Sequence, residues 1–199
     1  MLEKQFIYYC APTLAGIKTA SLFSHKFQNK NNFLNDILIL HDMFSKKGVV
    51  VDVLNIKDGR ALVYVYRPEM LIKDLSDKKA REILIRYGYD QAFLDSFEDG
   101  CDHKKTEMFL EKVLFFLKAR LEMHTCFPHE IGLFLGYPAG DVYEFIRQKG
   151  KNCMYCGMWK VYCNVDKTKE LFEKYKHCNL VYRQVYNNGR NISDMIVSA

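Results

Sequence analysis

Two hydrophobic periods alternate along this chain, one near 3.6 residues and one of two, and the changes between them mark its elements. The first run, Leu2 to Cys10, carries Phe6, Ile7, Tyr8 and Tyr9 and is short enough to be helix or strand. Pro12 follows; it pushes Ala11 out of the helical region and suits a first helical turn. A helix is therefore expected from about Thr13 to Lys26, with Leu14, Ile17 and Leu22 apolar. The Asn-rich loop 28–32 supplies a cap for a second helix, in which Phe33, Ile37, Leu40 and Phe44 recur at helical spacing until Gly48 stops it. Beyond Gly48 the period falls to two. Val49 to Ile56 and Arg60 to Arg67 are rich in Val, Leu and Tyr and flank Lys57-Asp58-Gly59, a hairpin signal because Asp-Gly accepts the positive φ angles of a tight turn.

Helical spacing returns at Glu69 to Leu75 and at Asp77 to Tyr87, with Ser76 or Asp77 as cap, then in a short acidic segment from Gln91 to Phe97. The longest periodic run, about His103 to Met123, aligns Leu110, Val113, Leu114, Leu117 and Leu121, widened by Phe109 and Phe116, and is expected at the centre of the core. Between Cys126 and Cys163 the punctuation thickens. A helix from Pro128 to Leu135 breaks at Gly136-Tyr137-Pro138, a second runs from about Asp141 to Lys149, and Met158 to Asn164 reads as a strand. A basic helix from about Asp166 to Lys176, an ambiguous segment from Leu180 to Tyr186 and a polar tail complete the chain. The pattern predicts an α+β fold: a mainly helical single domain around a small antiparallel sheet. The hairpin at about 49–67 is its expected centre, 158–164 its third strand, and the tail at about 187–199 is expected to lack fixed structure.

Composition narrows the class. With 199 residues the chain is long enough for a substantial core, and 49% hydrophobic against 27% charged residues excludes global disorder. The N-terminal run has no basic segment followed by a long apolar stretch, and no apolar run reaches bilayer length, so a cytoplasmic protein without membrane contact is expected. Seven cysteines at irregular spacing then read as thiols, metal ligands or redox groups instead of a disulfide framework. The net charge of +5 is unevenly spread, with ten basic and three acidic residues between Ile146 and Arg190. That imbalance suits a solvated helix face and does not favour a nucleic-acid partner.

Four groups of residues carry candidate chemistry. Cys10, close before Pro12, sits beside an expected helix start whose dipole favours a thiolate; Thr13 and Lys18 join it as a nucleophile or anion site. His129-Glu130, after Pro128, places an imidazole and a carboxylate in a first helical turn, where they suit acid and base work, although Leu133 stands where a zinc-protease pattern has a second His. Cys153-x-x-Cys156 has metal-ligand spacing but no well-spaced second pair, only Cys163 or His177-Cys178. Trp159 and Lys160, on opposite faces of the expected strand, offer a stacking surface and a cation, with Tyr137 at the preceding break as a further ligand contact. No P-loop, dinucleotide fingerprint or nucleophile elbow is present, so no cofactor is named.

Four stretches in this order, Cys10 to Phe23 (CAPTLAGIKTASLF), Leu62 to Arg67 (LVYVYR), His129 to Pro138 (HEIGLFLGYP) and Trp159 to Tyr162 (WKVY), resemble a bacterial family known as domain of unknown function 3793. The likeness covers nearly the whole chain and implies a cytoplasmic bacterial single domain, with no activity attached. The residues alone then support three functions. The first is an accessory protein binding a small anionic ligand or a metal, with Cys10, His129-Glu130 and Trp159 converging on one cleft. The second is a cysteine-dependent enzyme with Cys10 as nucleophile, His129 as base and Glu130 as its orienting group. The third is a nucleic-acid or protein-interaction module using the basic C-terminal third. Oligomeric state is not legible.

Overall fold

The computed structural model describes residues 2–96, 103–123 and 127–198, and its contacts divide the chain into two compact units. The first comprises Met1–Arg67 and Glu173–Ala199, the second Pro68–Phe172. No Gly/Pro-rich linker announces this division, because one of the units is closed by a segment from the far end of the chain.

The first unit is built on helix α1 (Leu2–Leu14), strand β1 (Ala20–Lys26), helix α2 (Lys30–Ser45) and the hairpin β2 (Val50–Lys57) and β3 (Arg60–Tyr66). The sheet is antiparallel in the order β1-β3-β2, so the most apolar strand, β3, is central. Asp58 and Gly59 carry the expected positive φ angles, 50° and 69°, and set the register Lys57↔Arg60. A bulge at Val53/Asn55 interrupts β2. α1 packs on β1 and β3, α2 on β2. Phe6, Ile7, Phe44, Val63 and Val65 meet there in a core that is essentially closed to water.

Three expectations are corrected here. The segment read as a helix from Thr13 to Lys26 is the end of α1, a turn through Gly16 (φ 75°) and then strand β1. Pro12 does not start a helix; it lies inside one. Its ring removes the amide that would bond the Tyr8 carbonyl, and that carbonyl instead accepts from Arg183 Nη2 at 3.3 Å. Second, the third strand of the sheet is β1, paired Ala20↔Tyr66 through Lys26↔Arg60, whereas the 158–164 region forms a separate ribbon. Third, the polar tail is folded: a short 3-10 helix, Ile192–Met195, inserts Ile192, Met195 and Ile196 into the first unit's core. Arg67 holds this end in place, donating to the carbonyls of Thr13 (2.7 Å), Leu14 (2.8 Å) and Val197 (2.7 Å). Ile192, Met195 and Ile196 dock a segment whose average composition looks solvated.

The second unit is helical. Helices α3 (Pro68–Ser76), α4 (Lys78–Arg86), α5 (Gln91–Asp95), α6 (His103–Met123), α7 (Ile131–Phe134) and α8 (Ala139–Arg147) are followed by the ribbon β4 (Tyr155–Cys156) and β5 (Lys160–Val161). Asp77 and Asp90 cap α4 and α5, accepting from the amides of Ala80 (3.1 Å) and Phe93 (2.8 Å). The predicted stripe of α6 is buried at Phe109, Leu110, Val113, Leu114 and Leu117 and half-buried at Phe116 and Leu121; Leu71, Leu75 and Phe134 of the same unit are also buried. The expected end of the acidic helix at Phe97, and Cys126, lie outside the described residues. α9 (Val165–Asn187) begins in the second unit and ends in the first. The whole is α+β and mainly helical. Among the described residues no helix is long and apolar enough to cross a membrane.

Candidate functional site

The second unit holds a partly open hollow of about 290 Å³ between the α7 and α8 region and the ribbon, lined by Phe127, Pro128, His129, Ile131, Gly132, Tyr137, Asp141, Val142, Phe145, Met158, Trp159 and Lys160. One carboxylate organises it. Asp141 stands in the first turn of α8, where the helix dipole favours an anion, and is 3% exposed. Its Oδ2 accepts from Trp159 Nε1 at 2.9 Å; its Oδ1 accepts from the amides of Tyr162 at 2.8 Å and Cys163 at 3.0 Å. A buried carboxylate needs such donors to remain tolerable, and here they fix the ribbon and the indole against α8.

Trp159 is further held by rings. Tyr137 stacks on it with centroids 4.6 Å apart and planes at 24°, and Phe172 meets it edge to face at 4.5 Å and 87°. Gly132 lets α7 and α8 approach: a Cβ there would lie 2.9 Å from Val142 Cγ2. Lys160 reaches back to donate to the Gly150 carbonyl at 2.6 Å and lies 6.0 Å from the Phe145 ring centroid. Among the described residues no carboxylate pairs with it. His129 is exposed and meets the Phe145 ring edge to face at 5.3 Å. Burial raises the Tyr137 phenol above its ordinary range, which keeps it a neutral group in this wall. The lining is therefore apolar and ring-rich, with Lys160 as its one lysine.

The residues singled out by sequence fall into two sets. His129, Glu130, Tyr137, Trp159 and Lys160 all belong to the second unit, and all but Glu130 line the cavity. Glu130 points away into the protein, fully buried, and pairs with Arg120 Nε of α6; among the described residues its buried Oε2 has no hydrogen-bond partner. Arg120 also donates to the Tyr87 carbonyl at 3.3 Å and lies over the Tyr87 ring. The pair pins the turn before α7, and with it one cavity wall, onto α6.

Cys10, Thr13 and Lys18 belong to the first unit and lie close to one another. The Thr13 and Ser21 hydroxyls are 2.9 Å apart, and Ser21 hydrogen-bonds the Cys10 thiol. Cys10 is fully buried in α1 instead of beside a helix start, so burial pushes its thiol far above the ordinary value; Lys18 and Ser21 oppose that shift only weakly. Burial also lowers Lys18 to about 8, with Cys10 acting the other way, while its Nζ donates to the Ala20 carbonyl. A thiol held protonated in a closed core has little nucleophilic character. Cys153 is half-buried and Cys156 exposed, and among the described residues no three of His, Cys, Asp and Glu gather closely enough to hold a metal ion. Asp141, Phe145 and Met158 were missed by sequence reasoning. The signal for Asp141 was its place just after Pro138-Ala-Gly, in the first turn of a helix ahead of the only tryptophan.

Fold and cavity together define an α+β protein with an apolar, ring-lined hollow in its helical unit. The chain belongs to the family described as protein of unknown function (DUF3793), whose sequence profile matches residues 6–196. No curated protein and no solved structure matches it.

Proposed function

We propose that this protein is a small-ligand binding or accessory protein of the bacterial cytoplasm, and that its site is the cavity around Trp159. The observation that carries this reading is the lining: an apolar, ring-rich hollow whose single lysine, Lys160, has among the described residues only a backbone carbonyl and a ring as partners. Such a hollow favours a compact apolar body bearing one acidic group. The exposed, unbridged Cys156 and Cys163 suit a reducing compartment. The thiol-enzyme reading has less support, because Cys10 is buried and protonated.

Trp159 is the only tryptophan, so its emission reports this site alone. Octanoate, a transparent amphiphilic anion, is expected to shift that emission saturably at one site per chain. Val142→Phe, which fills the hollow, is expected to abolish the response while leaving the far-ultraviolet circular dichroism intact. An unsaturable response, or one equal in the filled variant, would exclude the cavity as the binding site.

A further inference from the structure

We infer that the ligand class of this cavity is a planar aromatic monocarboxylate of one or two fused rings; this rests on the cavity being a ligand site. Size sets the first limit, since about 290 Å³ lies at the lower end of small-molecule sites and suits a body of one or two rings. Shape and chemistry set the second. Four carbon-ring side chains, Phe127, Tyr137, Phe145 and Trp159, face the hollow together with the thioether of Met158. Ring edges and faces at fixed positions, such as the Tyr137–Trp159 stack, reward an inserted ring beyond the area it buries, by about 3- to 10-fold in affinity over a saturated body of equal size. Met158 adds a polarizable contact of the kind sulfur makes with ring edges.

Charge sets the third limit. Lys160 Nζ makes one hydrogen bond, to Gly150 O, and no ion pair among the described residues, so an ammonium has two hydrogens left for a carboxylate. A charge-assisted bond there is worth about 10- to 100-fold over a neutral group in the same place. The same lining contains Asp141, whose carboxylate already accepts three bonds, from Trp159, Tyr162 and Cys163. Its negative charge opposes a second ligand charge, so phosphates are disfavoured relative to carboxylates.

Calorimetric titration of the full chain with four compounds tests this: 2-naphthoate, 2-naphthylmethanol, saturated decalin-2-carboxylate and 2-naphthyl phosphate. 2-Naphthoate is expected to bind tightest, about 10- to 100-fold over the alcohol and about 3- to 10-fold over the saturated acid. Lys160→Met is expected to equalise acid and alcohol, and Lys160→Arg to restore the preference. Equal affinity for acid and alcohol, equal affinity for aromatic and saturated acids, or tighter phosphate binding would overturn the ligand class while octanoate still saturates the site. If octanoate and all four compounds fail to bind, the cavity reading itself falls, and the class with it.

Discussion

Asp141 ties the start of α8 to the ribbon. It gathers three donors from the ribbon onto the start of one helix. Asp141→Ala leaves the indole and two amides without their acceptor and is expected to cost about 3 kcal/mol. Urea unfolding measures the loss, and Trp159 emission should move to longer wavelength as the ring loosens; an unmoved emission maximum would show that the surrounding rings alone hold it. At Cys10 the expected chemistry is inertness. Iodoacetamide at neutral pH should label the exposed Cys156 and Cys163 in the folded protein and spare Cys10 until denaturant is added, as read by peptide mapping. Rapid native labelling of Cys10 would restore the thiol-enzyme reading. Lys18 predicts a pH dependence. The unfolded chain holds this proton up to the ordinary value of 10.5, the folded chain only to about 8. Between those values the unfolded state binds more protons, so stability rises with pH. Cys10 acts in the opposite sense from 9.0 upward, because the folded state keeps a proton that the unfolded state releases. From about pH 8 to about pH 9 the wild-type protein should therefore gain stability relative to Lys18→Met, a difference that chemical denaturation at several pH values would reveal.

At the scale of elements, close approach rather than propensity shapes the site. The ribbon turns at Gly157, where a Cβ would stand 2.2 Å from Phe172 Cε2 and 3.1 Å from Tyr155 Cε1. Phe172 is 2% exposed and already holds Trp159 edge to face, so its ring has little room to yield. Gly157→Ala is expected to destabilise by about 1–3 kcal/mol through overpacking, and to weaken octanoate binding because Trp159 shifts with it. Thermal unfolding and the emission titration check both parts. The helices with conventional signals formed where their signals lie: α2 behind Asn29, α4 behind Asp77, α5 behind Asp90. α1 did not end at Pro12, because Arg183, distant in sequence, satisfies the carbonyl that the proline leaves unpaired. No local rule contains that donor.

At the scale of the molecule, the first unit is completed by residues from both ends of the chain. Truncation after Arg190 removes Ile192, Met195 and Ile196 from its core and the Val197 carbonyl from Arg67. Each buried side chain of this size carries about 2–5 kcal/mol, against a total stability of about 5–15 kcal/mol for a typical protein. The truncated chain is expected to lose cooperative unfolding of the first unit, read by hydrogen exchange at α1 and β3. Protection there equal to that of the full chain would show that the tail docks without contributing stability.

The sequence by itself determined the α+β class, the hairpin and its turn, most helix starts and the core stripe of α6. Those features depend on neighbours within a few residues, where periodicity, Asp-Gly chemistry and capping act directly. It also singled out His129, Tyr137, Trp159 and Lys160 for their chemistry, and these four line the hollow of the second unit. Tertiary structure alone decided which groups meet. It set Cys10 in a closed core beside Lys18, turned Glu130 inward to Arg120, made strand β1 from a segment with helical spacing, and gave Asp141 its three donors. Each of these outcomes depends on desolvation or on a partner far away in the chain, and neither is written in local pattern.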